Sequence, residues 1–215
     1  MTSSRELVLG KIRAALVNDH PPEPVPRDYI RAARAAGSGP VIELLVDRLV
    51  DYKARVDQVD RDGLPGAINL ALTGMVSVVV GPGLDQQIAV ACADEDRVVT
   101  VDSAPEVLSP QQLDLIDAVV TTARVAIAMS GTIILDGGDG QGRRAITLVP
   151  DRHVIILRAD QIVETVAEAI GLLTPTAPLT MIAGPSATSD IELERVEGVH
   201  GPRTLHVIIV EQQAG

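Results

Sequence analysis

The chain of 215 residues has no tryptophan, no phenylalanine, two tyrosines and a single cysteine. Aromatics at 1% leave few rings for stacking on bases. Basic residues are also scarce, 18 Lys and Arg against 29 Asp and Glu, for a net charge of −11. A phosphate backbone needs a basic footprint, so both scarcities argue against nucleic acid. One thiol, Cys92, cannot hold an iron–sulfur cluster or a four-ligand zinc site and cannot close an internal disulfide. It falls in an apolar helical pattern and reads as a small core residue. No run approaches the roughly 20 apolar residues that span a bilayer. The opening Met1 to Glu6 is polar with no apolar stretch behind it, so no signal peptide is expected and the location reads as cytoplasmic.

What is abundant is aliphatic. Hydrophobic residues make up 46% of the chain, and with so few rings the core must be Val, Ile, Leu and Ala. That is the composition of buried parallel strands between helices. Residues 4–17 read as an amphipathic helix. Asp19 to Asp28 carries four prolines and reads as an extended strap, so residues 1–40 form a helix and strap ahead of one domain over 41–215.

In that domain, helices are expected at Val41 to Asp51, Leu64 to Leu72, Leu84 to Ala93, Pro110 to Ile116, Arg124 to Met129 and Asp160 to Ile170. Ser109-Pro110 supplies an N-cap and a first-turn proline. Strands are expected at Ala54 to Val59, Val76 to Val80, Val98 to Val101, Ala118 to Thr122, Thr132 to Leu135, Ala145 to Val149 and His153 to Leu157. Leu179 to Ala183 and Leu205 to Val210 then close the sheet. Strands alternating with helices give an α/β sheet covered on both faces, mixed toward its C-terminal half. Ligands in such sheets gather at the carboxyl ends of strands, which points to the loops after Val80, Thr122, Leu135, Val149 and Ala183.

The stretch Gly184-Pro185-Ser186-Ala187-Thr188-Ser189-Asp190-Ile191-Glu192, continuing to Gly198-Val199-His200-Gly201-Pro202-Arg203, is the main site candidate. A bare connection between two strands needs neither this length nor this polar content. Its bland alternative is a cap, with Ser189 or Asp190 opening a short helix. His200 is the candidate acid–base group. Ser130-Gly131-Thr132 offers backbone N–H groups and two hydroxyls to an anion, or else two satisfied hydroxyls at a turn. Gly137 to Gly142 lacks the ending of a phosphate-cradling loop and reads as a mobile tip. Arg143 and Arg144 behind it can grip a carboxylate or phosphate, or serve as surface ion-pair partners. His153 reads as a hydrogen-bonded structural histidine, or else as a general base tuned by Asp151, and His206 as buried or edge-satisfied within the last strand. No nucleophile elbow, HExxH helix or metal-spacing cluster is present.

Ala126-Ile127-Ala128 with Gly131-Thr132-Ile133, Gly142-Arg143-Arg144, Leu148-Val149-Pro150-Asp151-Arg152-His153 and the two halves of the 184–203 stretch together resemble the LUD-domain family, in its lactate-utilization C branch. The resemblance implies a NagB/RpiA/CoA-transferase-like α/β fold. It also implies a part in oxidising L-lactate to pyruvate beside two partner proteins, one of them carrying iron–sulfur clusters, with no cofactor in this chain. The substrate-binding set would then be Ser130, Gly131, Thr132, Arg143, Arg144, Gly184, Ser186, Thr188, Ser189, Asp190, Glu192 and Arg203, with His200 catalytic. The family turn usually reads Glu-Thr-Gly where this chain has Met129-Ser130-Gly131, so a carboxylate is lost. CoA-transferases of the fold use a glutamate nucleophile, and no glutamate here matches that context. Two other readings stay open: a stand-alone enzyme acting on a sugar phosphate or CoA ester, and a non-catalytic interaction subunit.

Overall fold

The computed structural model describes residues 3–17, 38–188, 196–197 and 201–211. The chain divides into two units, Met1–Ile30 and Arg31–Gly215. In the first, α1 (Ser4–Leu16) opens on a capping box: Ser3 Oγ accepts from the Glu6 N–H, and the Glu6 carboxylate accepts from the Ser3 N–H. The proline strap lies outside the described residues.

The second unit runs α2 (Ser38–Asp51), β1 (Arg55–Val59), α3 (Leu64–Ala71), β2 (Ser77–Val80), α4 (Gln86–Cys92), β3 (Val98–Val101), α5 (Pro110–Leu113), β4 (Ala118–Thr122), β5 (Val125–Ile127), β6 (Thr132–Leu135), β7 (Arg152–Arg158), β8 (Ile162–Val163), α6 (Val166–Leu172), β9 (Thr180–Ile182), β10 (Ala187–Thr188), β11 (Val196–Glu197) and β12 (Thr204–Val210). A parallel six-stranded sheet has the order β1-β12-β7-β4-β2-β3. A four-stranded mixed sheet, β8-β5-β6-β9, stands beside it.

The aliphatic composition explains the layers. On one face, Leu64 and Ile68 of α3 and Ile88 and Cys92 of α4 pack on Val78, Val80, Val120, Val154, Ile156 and Ile208. On the other, Leu45 and Leu49 of α2 and Ala126, Ile133 and Leu135 of the small sheet pack on Ile155, Leu157, Leu205, Val207 and Ile209. Strands β7 and β12 are therefore apolar on both faces, as buried parallel strands must be. Cys92 is fully buried, and burial raises its thiol to about 12. Among the described residues no helix is long and apolar enough to cross a membrane.

The expected α/β sheet flanked by helices is present, with several local corrections. The mixed pairing belongs to the separate small sheet, and Leu179 to Ala183 contributes β9 there instead of closing the large one. Arg124 to Met129 is not a helix but contains β5, whose three buried residues pair with β6 and β8. So short an apolar run has no periodicity to tell the two apart. Ala145 to Val149 is not a strand: Arg144–Thr147 is a 3₁₀ turn, closed by the Thr147 hydroxyl donating to the Arg144 carbonyl. The helix expected from Asp160 begins only at Val166, where Thr165 and Glu168 form a capping box.

Strand order reverses between β2 and β4, because the chain goes outward to β3 and returns on the other side of β2. The crevice at that switch is filled by the glycine-rich loop, which is docked and not a free tip. The Gly140 N–H donates to the Pro82 carbonyl at 2.7 Å, and the Gly140 carbonyl accepts from the Thr122 N–H at 3.1 Å. Gly81 and Gly142 approach so closely that a Cβ on Gly81 would sit 2.3 Å from the Gly142 nitrogen.

Candidate functional site

The 184–203 stretch crosses from the small sheet to the large one, from the end of β9 to the amino end of β12. Its two ends are tied where the Ser186 N–H donates to the Pro202 carbonyl at 2.9 Å, and β10 and β11 pair antiparallel between them. Ser189, Asp190, Glu192 and His200 lie outside the described residues, and of Thr188 only the strand is described. The loops before β7 and β12 lie at the amino ends of those strands, not at the carboxyl ends that the fold rule favoured.

Gly184, Ser186, Gly201 and Pro202 line a cavity of about 330 Å³ together with Arg144, Thr147, His153 and Leu205. The structure therefore brings Arg144 to the predicted stretch. Arg143 faces elsewhere. Its guanidinium grips Asp102 at 2.6 and 3.1 Å and donates to the Leu108 carbonyl. Burial alone would raise the Asp102 carboxyl, but the Arg143 bonds, the Leu108 N–H and the guanidinium charge outweigh it and hold the carboxyl below its ordinary range. Arg203 pairs with Asp151 at 3.4 Å, both well exposed, a contact of little energy.

The histidine lining the cavity is uncharged. His153 is 1% exposed, its Nε2 lies 2.8 Å from Thr121 Oγ1, and burial pushes it down to about 3. At neutral pH it is an imidazole engaged with a hydroxyl, not an acid. Arg144 is then the only charged side chain among the described residues that line this cavity. It is exposed, and its guanidinium has no hydrogen bond or ion pair among the described residues. One such fork, on a chain of net charge −11, suits a single carboxylate.

Ser130-Gly131-Thr132 leads into β6, beside the end of β9. The Ser130 hydroxyl donates to Thr132 Oγ1 at 2.9 Å, and the Gly131 N–H donates to the Ala128 carbonyl. Tyr52, just past α2, bridges this turn and Gly184. A Cβ on Gly131 (φ +62°) would meet the Tyr52 ring at 3.3 Å and Arg48 at 2.8 Å; one on Gly184 (φ +87°) would meet Tyr52 Cβ at 2.7 Å. Both turns require glycine for conformation and for space. Reasoning from the residues missed Tyr52, whose one signal was its place, one of two tyrosines directly after an apolar helix. Met129, at the start of this turn, is 58% exposed. Among the described residues no group of three or more His, Cys, Asp or Glu is placed to hold a metal ion.

The LUD domain family model matches residues 84–210. Lactate utilization protein C of Deinococcus radiodurans is 44% identical over 214 residues, 98% of this chain and 93% of that protein. Lactate utilization protein C of a Geobacillus species is 33% identical over 100 residues, 42% of this chain and 41% of its own. The 1.70 Å crystal structure of a DUF162 family protein from Deinococcus radiodurans superposes with a TM-score of 0.69 at 38% identity, covering 81% of this chain and 99% of that one. On the family match and the near full-length relative, the chain belongs to the LUD domain family.

Proposed function

We propose that this chain is a component of an L-lactate to pyruvate oxidation system, without a redox cluster of its own, and that it holds the monocarboxylate in the cavity beneath the 184–203 stretch. Arg144 receives the carboxylate, and the Ser186 side and the Gly184 turn shape the opposite wall. Ser189, Asp190, Glu192 and His200 of the same stretch belong to the proposed site, His200 taking up the hydroxyl proton as the alcohol is oxidised. The two electrons pass to an iron–sulfur partner, in the cytoplasm, and the Cα hydrogen leaves as a second proton to solvent. Residues 41–215 form the working domain and 1–40 an extension.

The observation that carries this reading is the one guanidinium without a partner among the described residues of a cavity whose histidine is neutral, in a chain 44% identical to a lactate utilization protein C. A lone positive charge matches a monoanion such as lactate better than a phosphate ester of higher charge. The test is co-purification with tagged iron–sulfur candidates, followed by lactate-dependent dye reduction with and without this chain. Reduction that requires the chain supports the reading. A partner complex that oxidises lactate equally fast alone overturns it.

A further inference from the structure

A second cavity, of about 510 Å³, opens at the other end of the same strands. His153 borders the first cavity near the amino end of β7, and Arg158 borders the second at its carboxyl end. Five residues of extended chain, roughly 16 Å, separate them. Ligands of doubly wound sheets bind outside the carboxyl ends, at the switch in strand order. Here that crevice is filled by the glycine-rich loop between Pro82 and Thr122. The open space at the carboxyl edge is displaced sideways, to the ends of β4, β7 and β12.

Its floor is aliphatic: Leu64, Ile88 and Ile156 are buried and Val210 half-buried. Four charged side chains stand around it. Arg158 is engaged with Asp160, donating from Nε at 2.9 Å and from Nη2 at 3.3 Å. Asp85 caps α4, accepting the Gln87 N–H at 2.8 Å. That leaves Arg61 and Glu211, one of each sign. Neither side chain has a hydrogen bond or ion pair among the described residues, so the two do not pair with each other within 4.0 Å.

An aliphatic floor with one unpartnered cation and one unpartnered anion at its rim complements one kind of small molecule. From this juxtaposition we infer that the carboxyl-edge cavity binds a zwitterionic α-amino acid with an aliphatic side chain, its carboxylate on Arg61, its ammonium on Glu211 and its side chain on Leu64, Ile88, Ile156 and Val210. A simple carboxylate would leave Glu211 facing the ligand uncompensated, and a simple amine would do the same to Arg61. This site is independent of the monocarboxylate reading, since it shares no lining residue with the Arg144 cavity.

The test uses the full chain and isothermal titration with L-leucine, with 4-methylpentanoate and 3-methylbutylamine as probes lacking one charge each. Saturable binding of L-leucine is expected. Arg61→Gln and Glu211→Gln should each weaken it by about tenfold or more, and each decoy should bind weaker by a similar factor. Both substitutions are at exposed positions, and an unchanged thermal melt confirms that the variants fold. Arg144→Gln should leave leucine binding untouched. The inference is overturned if L-leucine does not bind saturably, if either decoy binds as tightly, if Arg61→Gln and Glu211→Gln have no effect, or if Arg144→Gln abolishes binding instead.

Discussion

His153 makes the stability of this protein depend on pH in a window that can be calculated. Its folded value is about 3, because burial disfavours the imidazolium, while the unfolded value is near 6.5. Between those values the unfolded chain binds a proton that the folded chain refuses. Stability therefore rises with pH across the window and falls on acidification, by roughly 1.4 kcal/mol per pH unit once below 6.5. Integrated from pH 7.5 to 4.5, the loss is roughly 2–3 kcal/mol. Asp102 and Asp117 are held below the ordinary carboxylate range, so their contributions are lost only at lower pH and leave this window to the histidine. The perturbation is His153→Gln, whose amide can still meet the Thr121 hydroxyl but cannot titrate. Urea unfolding followed by circular dichroism at pH 4.5, 5.5, 6.5 and 7.5 should show the slope in the parent chain and a nearly flat line in the variant. Parallel lines for the two proteins, or no slope in the parent, would refute the assignment of a neutral, desolvated imidazole.

Asp102→Ala leaves the Arg143 guanidinium and the Leu108 N–H without their acceptor and should cost about 2–3 kcal/mol, lowered from the fully buried case because Arg143 is 38% exposed. Thermal melting should then fall by about 4–12 °C, and a shift under 2 °C would show the pair to be inert. Gly184→Ala should destabilise by about 1–3 kcal/mol from its positive φ and its contact with Tyr52. Adding Tyr52→Gly removes the Cβ that the new methyl would meet at 2.7 Å and should recover part of that cost, so a double-mutant cycle reading no coupling counts against the bridge. Thr165→Ala removes the cap of α6 and should cost about 1 kcal/mol in a denaturant midpoint; no change would mean that packing alone sets the start of that helix.

The large sheet was readable because β7 and β12 are apolar on both faces, and because Ser109-Pro110 carries a local meaning of its own. Where the reading failed, the deciding interaction was distant. The three residues of β5 are a strand because β6 and β8 flank them. The docking of the glycine-rich loop depends on Gly81 and Gly142, far apart in sequence, meeting backbone to backbone. The Thr165-Glu168 box was a local signal that an apolar pattern starting at Asp160 overrode. At the site, Arg144 and the 184–203 stretch each carry unusual polar content for their places, and Arg144 lines one cavity with Gly184 and Ser186. The partition of the two arginines was not, because it rests on buried Asp102, which looks in sequence like any acid after a strand. Tyr52 had only its place after an apolar helix as a signal, because only the packing of α2 brings it between two glycine turns.

The measurement nearest to the central claim is the affinity for L-lactate and pyruvate, by isothermal titration, of the parent chain and of Arg144→Gln. Arg144 is exposed and has no partner among the described residues, so its replacement should leave the melting temperature unchanged. A charge-assisted hydrogen bond of about 1.5–3 kcal/mol predicts affinity weakened by about tenfold or more. Equal affinities in the two chains, with both folded, would contradict the assignment of this cavity as a monocarboxylate site.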